Sequence, residues 1–143
     1  MLTTLYSADE VLITWGPISM SGRGPDAFCK VERMEDSFKD KAGADGEVVR
    51  SRMLDHRGTV TVTLMQTSPT NPLLQASQLA DEASPNGVGI FPLMVKDYGG
   101  NALWVSAEAW ITKPASTETA AEAGTREWVF RCSNLMPPLP AHA

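Results

Sequence analysis

At 143 residues the chain is long enough for one domain with a single well-buried core. Hydrophobic residues at 43% and charged residues at 20% exclude disorder as the main state, and no apolar run approaches the ~18 residues a membrane span needs. The net charge of -5, with no run of Lys or Arg, excludes the electrostatic footprint of a protein that grips nucleic acid.

The first residues, Met1-Leu2-Thr3-Thr4-Leu5-Tyr6, carry no basic residue and no long apolar stretch. They do not read as a secretory signal, so the protein is expected to be made and kept in a cytoplasm. Val11-Leu12-Ile13-Thr14-Trp15 predicts a first strand, broken at Gly16-Pro17 before Ile18-Ser19-Met20 continues it. Gly22-Arg23-Gly24-Pro25-Asp26 is a turn signal, and residues 27–34 predict a second strand. The plainest alternation is Gly58-Thr59-Val60-Thr61-Val62-Thr63-Leu64-Met65. Val60, Val62 and Leu64 share one face there and Thr59, Thr61 and Thr63 the other, as in a half-buried strand.

One helix interrupts the period of two. Ser68 and Asn71 are N-cap residues, each followed by a proline suited to a first turn. The helix is expected within residues 68–84, with Leu73, Ala76, Ala80 and Ala83 as the face that docks on the sheet. Two further strands, residues 88–96 and 102–112, flank the hairpin signal Asp97-Tyr98-Gly99-Gly100-Asn101. In the second of them strict alternation puts Leu103, Val105, Ala107, Ala109 and Ile111 on one face, against Trp104, Ser106, Glu108 and Trp110. Residues 114–124 read as an exposed loop. Residues 125–132 form a last strand with Trp128, Phe130 and Cys132 inward and Glu127 and Arg131 outward. Residues 133–143 are a tail whose prolines keep it out of a sheet interior. The sum is one all-β domain over residues 1–143 with one short helix, either a β-barrel or a two-sheet sandwich.

Catalytic patterns are missing. His56 sits in a charged turn and His142 is penultimate; a solvated turn histidine is the plainer reading of the former. Glu32, Glu35, Asp36 and Asp40 are interleaved with Lys30, Arg33, Lys39 and Lys41, the pattern of a solvated mixed-charge face. The run Asp40-Lys41-Ala42-Gly43-Ala44-Asp45-Gly46-Glu47 lacks the oxygen spacing of a calcium loop. No metal, cofactor or enzymatic activity is expected. Cys29 and Cys132 are either buried free thiols or a disulfide, within one chain or between chains. Residues 34–57 form an unusually long segment between two good strands. It is either a plain solvated hairpin extension or an arm that touches another chain, with Lys41, Asp45, Glu47 and Arg50 as polar contacts and Gly43 and Gly46 as bends.

The block from Ala42-Gly43-Ala44-Asp45-Gly46-Glu47-Val48-Val49-Arg50-Ser51 through Asp55-His56-Arg57-Gly58-Thr59-Val60-Thr61-Val62-Thr63-Leu64-Met65 to Gln66-Thr67-Ser68-Pro69-Thr70-Asn71 resembles the tail tube proteins of contractile-tailed bacteriophages. That family is related in fold to the tube protein of type VI secretion. The resemblance implies a virion structural protein and not an enzyme, with a β-barrel or sandwich of the tail tube type and one flanking helix. It implies homohexameric rings joined sheet to sheet and stacked into a tube, assembled in the host cytoplasm. Its implied partners are the tail sheath, the tape-measure protein, the baseplate and the tail terminator, with no membrane. DNA would pass through the lumen unbound, which an acidic or neutral wall favours. Thr59, Thr61 and Thr63 are the candidate lumen residues because their face is wettable. Two alternatives stand beside this reading: a tube of a type VI-like machine, and a monomeric ligand-binding β-barrel using Trp15, Trp104, Trp110 and Trp128.

Overall fold

The computed structural model describes residues 11–24, 28–97 and 102–136. Its strands are β1 (Val11–Trp15), β2 (Ile18–Ser19), β3 (Cys29–Arg33), β4 (Phe38–Ala42), β5 (Val48–Arg52), β6 (Gly58–Met65), β7 (Phe91–Asp97), β8 (Ala102–Ile111), β9 (Thr125–Cys132) and β10 (Leu135–Met136), with one helix, α1 (Thr70–Ala83). Eight strands make one antiparallel sheet in the order β2-β1-β7-β8-β9-β6-β3, with β10 on β8; β4 and β5 form a separate ribbon. The all-β expectation with one helix holds. Among the described residues the sheet curls over its own core with β2 and β3 at the ends of its strand order, and one bridge, Arg23 to Leu64, ties the stretch after β2 to β6.

Alternation decides which side is core. In β6, Val60, Val62 and Leu64 are fully buried, and their neighbours on β9, Phe130 and Trp128, lie beside them on the same face. On the other half, Ile13 and Trp15 of β1 pair with Val95 and Leu93 of β7. Trp15 joins the halves: its indole nitrogen donates to the Ala109 carbonyl at 3.0 Å, and its ring lies 5.1 Å from Phe91 and 5.3 Å from Phe130. Burying an aromatic of this size removes so much apolar area from water that these few rings dominate the core.

The fold around β8 corrects the strict alternation expected there. Leu93 pairs with Ser106 but Phe91 pairs with Ala109, so β8 carries one extra residue near Ala107 and Glu108. A bulge of this kind reverses the face of everything beyond it. Trp104 and Ser106 therefore point to the core on one side of it, and Ala109 and Ile111 on the other. Ser133 N donates to the Glu108 carbonyl at the same point. The bend lets one sheet serve as both layers.

The C-terminal expectation is also amended. Leu135 and Met136 are not tail but pair with Ser106 and Val105, and Leu135 is buried over Gly58. Residues 137–143, and the hairpin turn at 98–101, lie outside the described residues.

The helix departs most from expectation. It starts at Thr70 with Pro69 at its N-cap, and Ser68 Oγ accepts the Thr70 amide at 3.2 Å. Its buried residues are Thr70, Asn71, Leu74 and Gln78, whereas Leu73, Ala76, Ala80 and Ala83 face solvent. Polar anchors fix that orientation. Asn71 Oδ1 accepts the buried Trp128 indole hydrogen at 2.9 Å, and its amide donates to the Met65 carbonyl at 2.9 Å. Thr70 Oγ1 accepts the Ser21 amide at 3.1 Å. Those bonds, with Leu74 as a single apolar plug, outweigh the alanine stripe as a docking surface.

Candidate assembly surfaces

Residues 34–57 prove to be the long end of the β3–β6 hairpin. The β3–β6 ladder runs on through Met34 N to the Arg57 carbonyl, and Met53 N bonds the Ser37 carbonyl at the foot of the β4–β5 ribbon. Arg33 fastens the junction. Its Nε donates to the Leu135 carbonyl at 3.0 Å, Nη1 to Ser37 Oγ at 3.1 Å and Nη2 to His56 Nδ1 at 3.2 Å. A guanidinium only donates, so His56 Nδ1 is the acceptor there. Asp55 and Arg57 add a bidentate pair at 2.8–3.1 Å, and those hydrogen bonds hold the Asp55 carboxyl down at about 2.

Beyond this junction the ribbon has no core. Every residue from 34 to 52 is exposed. The expected contact residues fall in two places. Lys41 pairs with Val49, and Arg50 with Asp40, on the stem. Gly43, Asp45, Gly46 and Glu47 make the tip. There Gly43 N bonds the Glu47 carbonyl at 2.7 Å, and Asp45 Oδ1 accepts the Glu47 amide at 3.2 Å. Gly46 has φ +89°, which L side chains rarely adopt, so this bend needs glycine. Sequence reasoning missed Phe38, whose ring lies 4.3 Å beneath the Arg50 guanidinium on one face of the ribbon. It also missed Arg33, whose role depends on contacts far along the chain.

Thr59, Thr61 and Thr63 lie half-buried on the face of β6 away from the core. Their register partners there are Glu32 and Lys30 on β3, and Arg131, Val129 and Glu127 on β9. The face is thus charge-balanced, with two acids and two bases around the threonines. At its margin a cavity of about 320 Å³ is lined by Lys113, Pro114, Ser116, Glu127 and Val129. This lining is mixed and contains no tryptophan, while Trp15 and Trp128 are packed solid in the core.

Cys29 and Cys132 are free thiols. Cys29 lies across β6 at Val62 and Cys132 at Gly58, about 13 Å apart along that strand and on opposite sides of it. A disulfide needs Cα atoms within about 7 Å, so the pair does not bridge within one chain. Burial pushes the Cys29 thiol up to about 11, with Arg23 pulling part of the way back, and burial raises Cys132 as well. Among the described residues no group of His, Cys, Asp and Glu is placed to hold a metal ion. Among them, too, no helix is long and apolar enough to cross a membrane.

The fold superposes on components of contractile injection systems. The tube-terminating cap of the anti-feeding prophage superposes with a TM-score of 0.63 at 11% identity, over 95% of this chain and 92% of that one. The sheath/tube terminator structure of PVC, an extracellular contractile injection system, gives 0.65 at 8% identity, over 95% and 98%. The PVC sheath–tube complex gives 0.62 at 10% identity, over 92% and 90%.

The chain belongs to the bacteriophage PhiTE tail tube protein family, whose model matches residues 11–138. It is 30% identical over 138 residues to structural protein ORF10 of Pseudomonas phage KPP10, covering 92% of this chain and 80% of that protein. It is therefore a phage structural protein of the tail tube type, as its central block implied.

Proposed function

We propose that this chain is the tube subunit of a contractile phage tail. Six copies join sheet edges into a ring, and rings stack through the 34–57 arm into a hollow tube within the virion. The observation that carries this is the arm. A lone two-stranded ribbon is marginally stable in water, yet this one exposes Phe38, Val48 and Val49. Contact with another copy supplies the missing core. The end positions of β2 and β3 in the strand order of the described residues fit the same reading, because an edge that finds no partner is an aggregation hazard.

The threonine face of β6 lines the lumen in this reading. A wettable, charge-balanced wall offers DNA no net phosphate attraction, so DNA passes during ejection without the salt-dependent binding that basic grooves produce. The sheath surrounds the tube, the tape-measure protein fills it during assembly, and baseplate and terminator cap its ends. Assembly takes place in the host cytoplasm. The type VI-like alternative loses ground to the phage family match, and the ligand-binding barrel to the burial of Trp15 and Trp128. Accessibility tests the lumen assignment. In assembled tubes a Thr61→Cys thiol is expected to react with a small maleimide but not with one carried on a large protein. Equal labelling by both would move this face to the outside.

A further inference from the structure

Among the described residues the outer face of α1 is apolar and unpartnered. On a helical wheel, Pro72, Leu73, Ala76, Leu79, Ala80 and Ala83 form one continuous arc opposite the docked residues. Leu73 is 54% exposed and Leu79 51%. The following loop is held against the helix, because Asp81 Oδ1 accepts the Gly89 amide at 3.2 Å. That loop carries two more exposed apolar residues, Val88 and Ile90. A helix that turns its polar side inward and its apolar side to water has a second docking surface still to fill.

We propose that this surface is the seat for the arm of a second copy. The inference rests on the reading of the chain as a tube subunit and adds where the arm lands. Charge complementarity favours it. From residue 66 to residue 95 there is no Lys or Arg, and Asp81 and Glu82 are the charged groups. The arm stem carries Lys39, Lys41, Arg50 and Arg52 beside its exposed Phe38, Val48 and Val49. Size agrees as well. The helix of 14 residues is about 21 Å long, and the five-residue strands of the ribbon span about 17 Å. Ala76, Ala80 and Ala83 keep the seat shallow, so a ribbon can approach the helix closely.

The occupant is another copy because of where the two parts sit. The arm leaves β6 at its Gly58 end, and α1 follows the Met65 end, seven residue steps or about 24 Å away. An arm at one end that engages a helix at the opposite end of the next molecule makes a heterologous, head-to-tail contact. Such a contact propagates along an axis without limit, as stacking requires.

Disulfide trapping in assembled tubes tests this. A chain carrying Val49→Cys and Leu79→Cys is expected to give, after mild oxidation, a ladder of covalent multimers on a non-reducing gel. A Ser116→Cys/Leu79→Cys control is expected to give none. Tubes that form normally yet yield no ladder, with either Val48 or Val49 as the arm position, overturn the seat and leave the tube reading standing. A wild-type protein that forms no tubes overturns both. Should the paired cysteines block assembly, Leu79→Glu decides: a folded chain whose tube yield drops at least tenfold supports the seat, and normal tubes refute it.

Discussion

The Trp128 indole and the Asn71 amide meet where neither has water to turn to, and that bond orients the helix. Replacing Asn71 by leucine keeps the branched shape and leaves the indole hydrogen unpaired, at a cost of about 1–3 kcal/mol. Urea unfolding is expected to show that loss; an unchanged midpoint would mean that Asn71 does not anchor the helix. Gly58 is constrained differently, since a Cβ there would run into the Leu135 side chain. Gly58→Ala is expected to cost a further ~1–3 kcal/mol by overpacking. Asp55 makes a statement about pH. Its folded value of about 2 lies below its ordinary 3.8, so the pairing with Arg57 contributes fully above pH 4 and is lost as pH falls through 2. A carboxyl NMR titration with its midpoint at or above 3.8 would contradict that pair. Burial keeps the Cys132 thiol protonated and covered, so Ellman's reagent at pH 8 is expected to reach Cys132 only after unfolding.

Among the elements, those with a clean period of two were legible. Residues 58–65 and 125–132 were readable end to end because one face of each is core and the other is not. The bulge in β8 left no mark, since an extra residue near Ala107 and Glu108 has no composition of its own. The helix misled for an instructive reason. Its apolar stripe was plain, but the rule that an apolar face turns inward assumes the chain covers itself. Thr70 and Asn71 won the inner side through hydrogen bonds that no periodicity records. The arm was legible as an oddity of length, and its two residues at the foot, Arg33 and His56, only from the fold. Because residues 34–52 contribute nothing to the core, deleting residues 42–47 is expected to leave the melting temperature within a few degrees of the parent. The same deletion is expected to abolish stacking, and normal tubes from it would remove the arm's role.

For the whole molecule, the sheet is the telling feature. Among the described residues its strand order ends at β2 and β3, and its arm and helix face lie at opposite ends of β6. In the proposed assembly a single copy is completed by others in two directions, around a ring and along an axis. This proposed closure by several chains was the part least visible in the sequence, and only the resemblance of the central block pointed to it. Cryo-electron microscopy of the purified protein, concentrated at neutral pH, tests the account most directly. The expected result is stacked six-fold rings of constant diameter, with the 34–57 ribbon of each subunit seated on the next ring. A monodisperse monomer that forms neither rings nor tubes at any concentration would contradict it.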